Sequence, residues 1–158
     1  MSTDIFAKIG DIKGESVDAK HKDEIEVLSF SWGVTHPVSA AHGSGGGEAK
    51  ATFNDLTIVH HIDKATPSLM RACATGEHLK EATITHRKAG KGAAEYLVVK
   101  MNDVTITGVV HGGNTIDNSE TVSLAFSKVD LEYRPQKQDG ALDAWIAFKY
   151  DIKGQKVG

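Results

Sequence analysis

Cysteine is nearly absent from this chain: Cys73 is the only one in 158 residues. A single thiol excludes an internal disulfide framework and a cysteine-based zinc ribbon. Charge of one sign is also lacking, since 18 Lys and Arg stand against 21 Asp and Glu for a formal net charge of −3. That balance argues against a protein that coats DNA or RNA, whose affinity comes mainly from neutralising phosphates. No stretch approaches the roughly 18 apolar residues of a membrane span, so no membrane insertion is expected. The first ten residues have no basic region, carry Asp4 early and lack an apolar core. No Sec-type signal is expected there, and any export would use a route that reads none. Proline is scarce at 3 residues, aromatics make up 6%, and glycine reaches 16. Glycine without proline suggests turns and mobile loops, and is too sparse for collagen or low-complexity disorder.

What remains is the composition of one soluble domain over residues 1–158, with 25% charged and 40% hydrophobic residues. A chain of this length buries roughly 68–70% of its unfolded surface, enough to fold without cross-links. Strand-like alternation dominates it. In 26–33, Leu28, Phe30 and Trp32 share one face while Ser29, Ser31 and Gly33 share the other. Further strands are expected over 5–9, 51–59, 82–88, 95–101, 104–110, 120–133 and 144–151, with Ala89-Gly90-Lys91-Gly92 as a hairpin loop. Two strands change phase partway. Val122, Leu124 and Phe126 give way to Val129, Leu131 and Tyr133, which a bulge near Ser127-Lys128 explains, and a similar slip separates Phe53 from Leu56 and Ile58. Long strands that bend and switch their buried face suit a barrel or an orthogonal sandwich.

One segment reads as helix, with Thr66 as N-cap, Pro67 at the first position and Gly76 as the stop. Leu69, Met70 and Cys73 are its expected apolar stripe, which makes the Cys73 thiol a buried one. The longest non-periodic stretch is Thr35–Glu48, containing Gly43-Ser44-Gly45-Gly46-Gly47. It reads either as a functional, partner-ordered loop or as a plain hairpin excursion.

Chemical motifs are few. The glycine cluster lacks the Lys-Ser/Thr ending of a P-loop and no helix follows it, so no nucleotide or other cofactor is expected. His60-His61 would point to opposite faces of a strand, and neither HExxH nor His-x-His spacing occurs. The eight histidines therefore read as scattered surface imidazoles rather than a metal site. Together they should make assembly or solubility sensitive to pH near about 6.5. No Gly-x-Ser-x-Gly elbow occurs, and no catalytic residue is nominated.

Several ordered stretches then carry a resemblance. Ile5-Phe6, Lys8-Ile9 and Ile12-Lys13-Gly14-Glu15-Ser16 come first, followed by Glu24-Ile25-Glu26-Val27-Leu28-Ser29-Phe30-Ser31-Trp32-Gly33. Ile62-Asp63-Lys64-Ala65-Thr66-Pro67-Ser68-Leu69-Met70, Ala72-Cys73 and Arg87-Lys88-Ala89-Gly90 continue the series. Val129, Leu131, Tyr133, Pro135-Gln136-Lys137 and Asp139-Gly140 close it. Across essentially the whole chain these resemble the haemolysin-coregulated (Hcp) proteins of type VI secretion. Phe30 stands where many relatives carry Trp, and 112–119 and the last dozen residues look individual.

The resemblance implies a mainly β fold: a β-barrel of two packed antiparallel sheets, a short flanking α-helix and a long extended loop. It implies a non-enzymatic subunit that forms homo-hexameric rings, which stack into the inner tube of a contractile machine. Its partners would be copies of itself, a spike protein, the contractile sheath and effector proteins carried in the lumen. The protein would be cytoplasmic before firing and secreted afterwards. On this reading Thr35, His36, His42, Gly43, Ser44, Gly45, Gly46, Gly47 and Glu48 form the loop that reaches an adjacent ring. Ser29 and Ser31 face the lumen, where small polar groups would hold cargo weakly, unless they form a plain solvent-facing surface. A secreted ring acting mainly as an effector receptor, chaperone or adhesin-like factor is the alternative.

Overall fold

The computed structural model describes residues 2–38, 50–90 and 94–158. Strands dominate them. In chain order they are β1 (Thr3–Ile9), β2 (Ile25–Val27), β3 (Ser29–Ser31), β4 (Val34–Thr35), β5 (Thr52–Phe53) and β6 (Leu56–His61). After helix α1 (Thr66–Thr75) come β7 (His78–Lys88), β8 (Glu95–Gly113), β9 (Asn118–Ala125), β10 (Lys128–Tyr133), β11 (Ile146–Asp151) and β12 (Lys156–Val157).

The mainly β class is as expected, and the strands are arranged by three breaks, two of which alternation located; the third divides a run expected as one strand. The apolar–polar run over 26–33 is divided between two partners. Its first part, β2, pairs antiparallel with β1, and its second part, β3, pairs with β6. The handover falls at Leu28, whose N–H donates to the Val59 carbonyl at 2.7 Å. The phase slip after Phe126 is the gap between β9 and β10, where the Ser127 N–H donates to the Asn102 carbonyl. The slip after Phe53 is the gap between β5 and β6, and β5 leaves the main sheet to pair with β4 as a separate ribbon. Conversely, the two strands expected over 95–101 and 104–110 are one, β8. It keeps its ladder through Asp103, which takes a left-handed φ of 53°, and shifts register between Ile106 and Gly108.

β8 therefore serves two layers. Its first half lies between β7 and β10, within the order β12-β11-β10-β8-β7-β1-β2, and its second half pairs with β9 to continue through β6 to β3. Among the described residues, hydrogen bonding does not run unbroken round a closed barrel. The two layers join along β8 and, covalently, at Leu28. Between them Ile9, Ile25, Leu56, Ile58, Ile84, Val99, Met101, Val104, Val122 and Leu124 are fully buried, each such side chain stabilising the fold by about 1.5–3 kcal/mol.

Helix α1 packs on β8. Pro67 sits in its first turn as expected. The N-cap, however, is Ala65 rather than Thr66. Asp63 does the local capping work, its Oδ1 accepting the Ala65 N–H at 2.8 Å, while the Thr66 hydroxyl accepts the Asp63 N–H. At the other end Gly76 is left-handed, with φ 64°, and the Gly76 and Glu77 N–H groups donate to the Cys73 and Ala72 carbonyls. The buried stripe is Thr66, Leu69 and Ala72, with Cys73 partly covered. Met70 is 45% exposed, against expectation. Successive helical residues lie about 100° apart, and this short helix buries the Leu69 direction.

Candidate functional site: an uncharged sheet face and its surroundings

Ser29 and Ser31 are both exposed, on the face of β3 that points away from the core. Register places them in rows that cross four strands. Ser31 lies opposite Thr57 of β6, Thr57 opposite Ser123 of β9, and Ser123 opposite Gly108 of β8. The Thr57 and Ser123 hydroxyls are 3.2 Å apart, and a Cβ on Gly108 would lie 3.8 Å from that of Ser123. The next row is Ser29, Val59, Thr121 and Val110, and the last is His61, Ser119 and Gly112. Core-facing positions alternate with these along each strand: Leu56, Ile58 and His60 on β6, and Glu120, Val122 and Leu124 on β9, are all buried.

These rows hold hydroxyls, glycines, two valines and, at one end, the His61 imidazole, and no Lys, Arg, Asp or Glu. In a chain 25% charged, such an open face is unusual. The outer face of the other layer behaves as ordinary protein surface. There one row reads Lys8, Thr83, Lys100, Asp130 and Lys149, with Lys149 and Asp130 3.6 Å apart. The uncharged face offers hydrogen-bonding groups that remain satisfied by water when free and involves no desolvated ion when covered. Contacts on it are weak and readily reversed. Alternation identified Ser29 and Ser31. The contribution of Thr57, Val59, Thr121, Ser123 and Val110 needed strand order, which a single sequence does not carry.

The candidate loop is only partly within the described residues. Thr35, expected to open it, ends β4 and lies opposite Thr52, so strand pairing of the β4–β5 ribbon reaches into the first residue of the expected stretch. His36 follows it, exposed. His42, Gly43, Ser44, Gly45, Gly46, Gly47 and Glu48 lie outside the described residues.

Apolar side chains are exposed in two groups. Tyr133, Trp145 and Ile146 stand out at the β10–β11 margin, where Arg134 lies over the Trp145 ring at 4.4 Å. Leu28, Val34 and Val38 stand out around β3 and β4.

The segment between β1 and β2 is tied down by charge. Arg87 of β7 donates to both carboxylate oxygens of Asp18, at 2.8 and 2.7 Å, and to Asp4 at 3.2 Å. The Arg87 guanidinium holds the Asp18 carboxyl well below the usual carboxylate range. His21 stacks on Phe6 at 4.4 Å and bridges Glu24 and Glu95 at 3.0 and 2.8 Å. Gly14 passes so close to this segment that a Cβ would fall 2.5 Å from the Glu24 carbonyl oxygen.

The histidines correct the sequence reading. His60 and His61 do point to opposite faces, but His60, His21 and His86 are buried rather than superficial. Burial pushes the His86 imidazole down. Sequence placed His60 on the apolar phase of β6 without showing what polar partner would make burial tolerable. Among the described residues, no group of three His, Cys, Asp or Glu is arranged to hold a metal ion. A depression of about 690 Å³ is lined by Lys8, Lys13, Lys64 and Lys80 among others, with Ser68 and His78. His78 bonds Asp103 at 3.2 Å, and no hydrogen bond joins it to Ser68 among the described residues. No described helix is long and apolar enough to cross a membrane.

Comparison with known proteins agrees with this architecture. Residues 6–133 match the model of the family described as type VI secretion system effector, Hcp. The chain is 44% identical to protein hcp1 of Pseudomonas aeruginosa over 146 residues, 90% of each chain. It superposes on the crystal structure of Hcp1 from Salmonella typhimurium with TM-score 0.83 at 38% identity, covering all of both chains. A type VI secretion system effector from Yersinia pestis gives TM-score 0.77 at 36% identity, over 94% of this chain and all of that one. Sequence motifs, strand order and these likenesses agree: the chain belongs to the Hcp family of type VI secretion.

Proposed function

We propose that this protein is a non-enzymatic structural subunit, one tube-protein unit over 1–158. It closes into six-membered rings that stack into the inner tube of the type VI machine, and the uncharged face lines the lumen. The observation that carries the reading is that face: four strands wide, with no Lys, Arg, Asp or Glu in its rows, opposite a charged outer face. A channel through which cargo must enter, travel and leave is served by weak, uncharged contacts. The apolar groups around Tyr133, Trp145 and Ile146, and around Leu28, Val34 and Val38, support head-to-tail closure. Heterologous contacts join unlike surfaces, and a ring leaves neither exposed. Thr35, His36, His42 and Gly43–Glu48 form the contact between rings. Spike, sheath and effector proteins are the further partners. The protein is cytoplasmic until firing carries it out of the cell.

Replacing Ser31 with Trp tests the lumen assignment. The substitution is expected to leave ring assembly unchanged and to abolish stabilisation of a co-expressed effector, read by effector half-life. Unchanged effector stability would remove Ser31 from the lumen. If cargo protection were lost while tube formation stayed dispensable for the protein's role, the effector-receptor reading would replace the structural one. Deleting Gly43–Gly47 should spare rings and impair stacking.

A further inference from the structure

At one end of the molecule three histidines face acids across neighbouring strands, and two of them share one wholly buried carboxylate. Glu120 of β9 has no solvent exposure. Its Oε1 lies 2.8 Å from Nε2 of His60 on β6, itself fully buried, and its Oε2 meets Nε2 of His111 on β8. The Thr66 hydroxyl of α1 reaches the same Oε1 at 3.4 Å. On the far side of His60, Nδ1 makes no hydrogen bond and lies 3.5 Å from Oδ2 of Asp63. Four titratable groups thus run in line, Asp63, His60, Glu120 and His111, with His111 at the solvent end, 39% exposed. Glu15 and Glu26 border the Asp63 end. His61 and Asp117, 3.2 Å apart, form a separate exposed pair over the β8–β9 turn.

We propose that this line is a proton-dependent clasp that fastens α1 and β6 to the base of the β8–β9 hairpin. A carboxylate only accepts hydrogen bonds, so Glu120 requires an N–H from each imidazole at Nε2. With both rings neutral those protons are used, His60 Nδ1 turns a lone pair toward Asp63, and two carboxylates share a buried site without a counter-charge. Each proton gained by an imidazole brings the site closer to neutrality, and one gained at His60 Nδ1 gives Asp63 a donor to accept from. Burial pushes the Asp63 carboxyl up, a cost that a proton on the facing His60 nitrogen would offset. The closed clasp therefore binds more protons than the opened one. Raising pH favours opening, by up to about tenfold per pH unit for each proton released. The hairpin carries half of the uncharged face, so its rim would be firm in mildly acidic solution and looser in alkaline solution.

Hydrogen exchange of the assembled protein, corrected for the intrinsic pH effect on amide exchange, tests this. Protection of amides in 109–113 and 119–121 should fall about tenfold or more between pH 6 and pH 8. Glu120→Gln, which removes the charge and keeps an acceptor, should abolish that dependence. Asp117→Asn, which removes only the surface pair, should preserve it. Should Glu120→Gln not fold, His111→Gln at the solvent end is the second variant and should at least halve the logarithmic slope. Nitrogen chemical shifts of His60 and His111 in the wild type should report proton loss over the same range. Protection independent of pH, an unaltered slope in both variants, or imidazoles that stay neutral across the range would overturn the clasp.

Discussion

Leu69→Ala should be among the most costly substitutions in the helix, and its neighbour Met70→Ala among the mildest. Leu69 has no solvent exposure and joins the main hydrophobic cluster, whereas Met70 is 45% exposed. Removing three carbons from a buried site forfeits roughly 2–2.5 kcal/mol of transfer free energy at about 0.8 kcal/mol per methylene. A cavity contribution is added, because a site wedged between a helix and the rigid strand β8 collapses poorly. The total falls within the 2.7–5.0 kcal/mol range of comparable substitutions, and about 3–4 kcal/mol is expected. For a domain of this size that lowers Tm by about 6–16 °C. Met70→Ala should stay within about 0.5–1 kcal/mol. Urea and thermal unfolding followed by circular dichroism, at matched protomer concentration, measure both, since self-association makes Tm depend on concentration. Equal costs at the two positions, or a Leu69→Ala cost below about 1 kcal/mol, would refute the docking of α1 described above.

Other outcomes follow from single contacts. Gly76→Ala meets no neighbour but must adopt a φ of 64°, so it should cost about 1 kcal/mol in urea unfolding without altering assembly. Gly14→Ala places a carbon against backbone that cannot swing aside, and about 1–3 kcal/mol of destabilisation is expected, with increased proteolysis near residues 14–24. Arg87 depresses the Asp18 pKa, so the contribution of that pair is full above the ordinary carboxylate value and is lost as pH falls through the lowered one. Arg87→Gln should therefore flatten the loss of stability on acidification between about pH 5 and about pH 2, measured by urea midpoints.

Much of the fold was legible because period-two patterning records which residues face a core. The interruptions of that pattern at Phe53 and Ser127 proved as informative as the pattern itself. Each marks a place where the chain changes hydrogen-bonding partner. What alternation cannot record is the partner. Nothing in 26–33 says that β2 bonds β1 while β3 bonds β6, and the uncharged face is visible only once Thr57, Thr121 and Ser123 are set beside Ser31. Asp103 misled for a local reason: its turn-like chemistry suggested a break, yet one left-handed residue lets β8 bend while keeping its ladder. The helix shows a similar limit. Asp63, two residues before the N-cap, supplies the side-chain oxygen that Thr66 was expected to provide, and both offer equivalent local chemistry. Buried His60 and His21 were hidden because each depends on an acid far away in the chain, Glu120 and Glu95.

Electron microscopy of the purified protein at high concentration addresses the central claim most directly. The account predicts closed six-membered rings whose channel wall carries Ser29, Ser31, Thr57, Thr121 and Ser123, with Lys8, Lys100 and Lys149 on the outside. A strict monomer, or rings that turn the uncharged face outward, would contradict it.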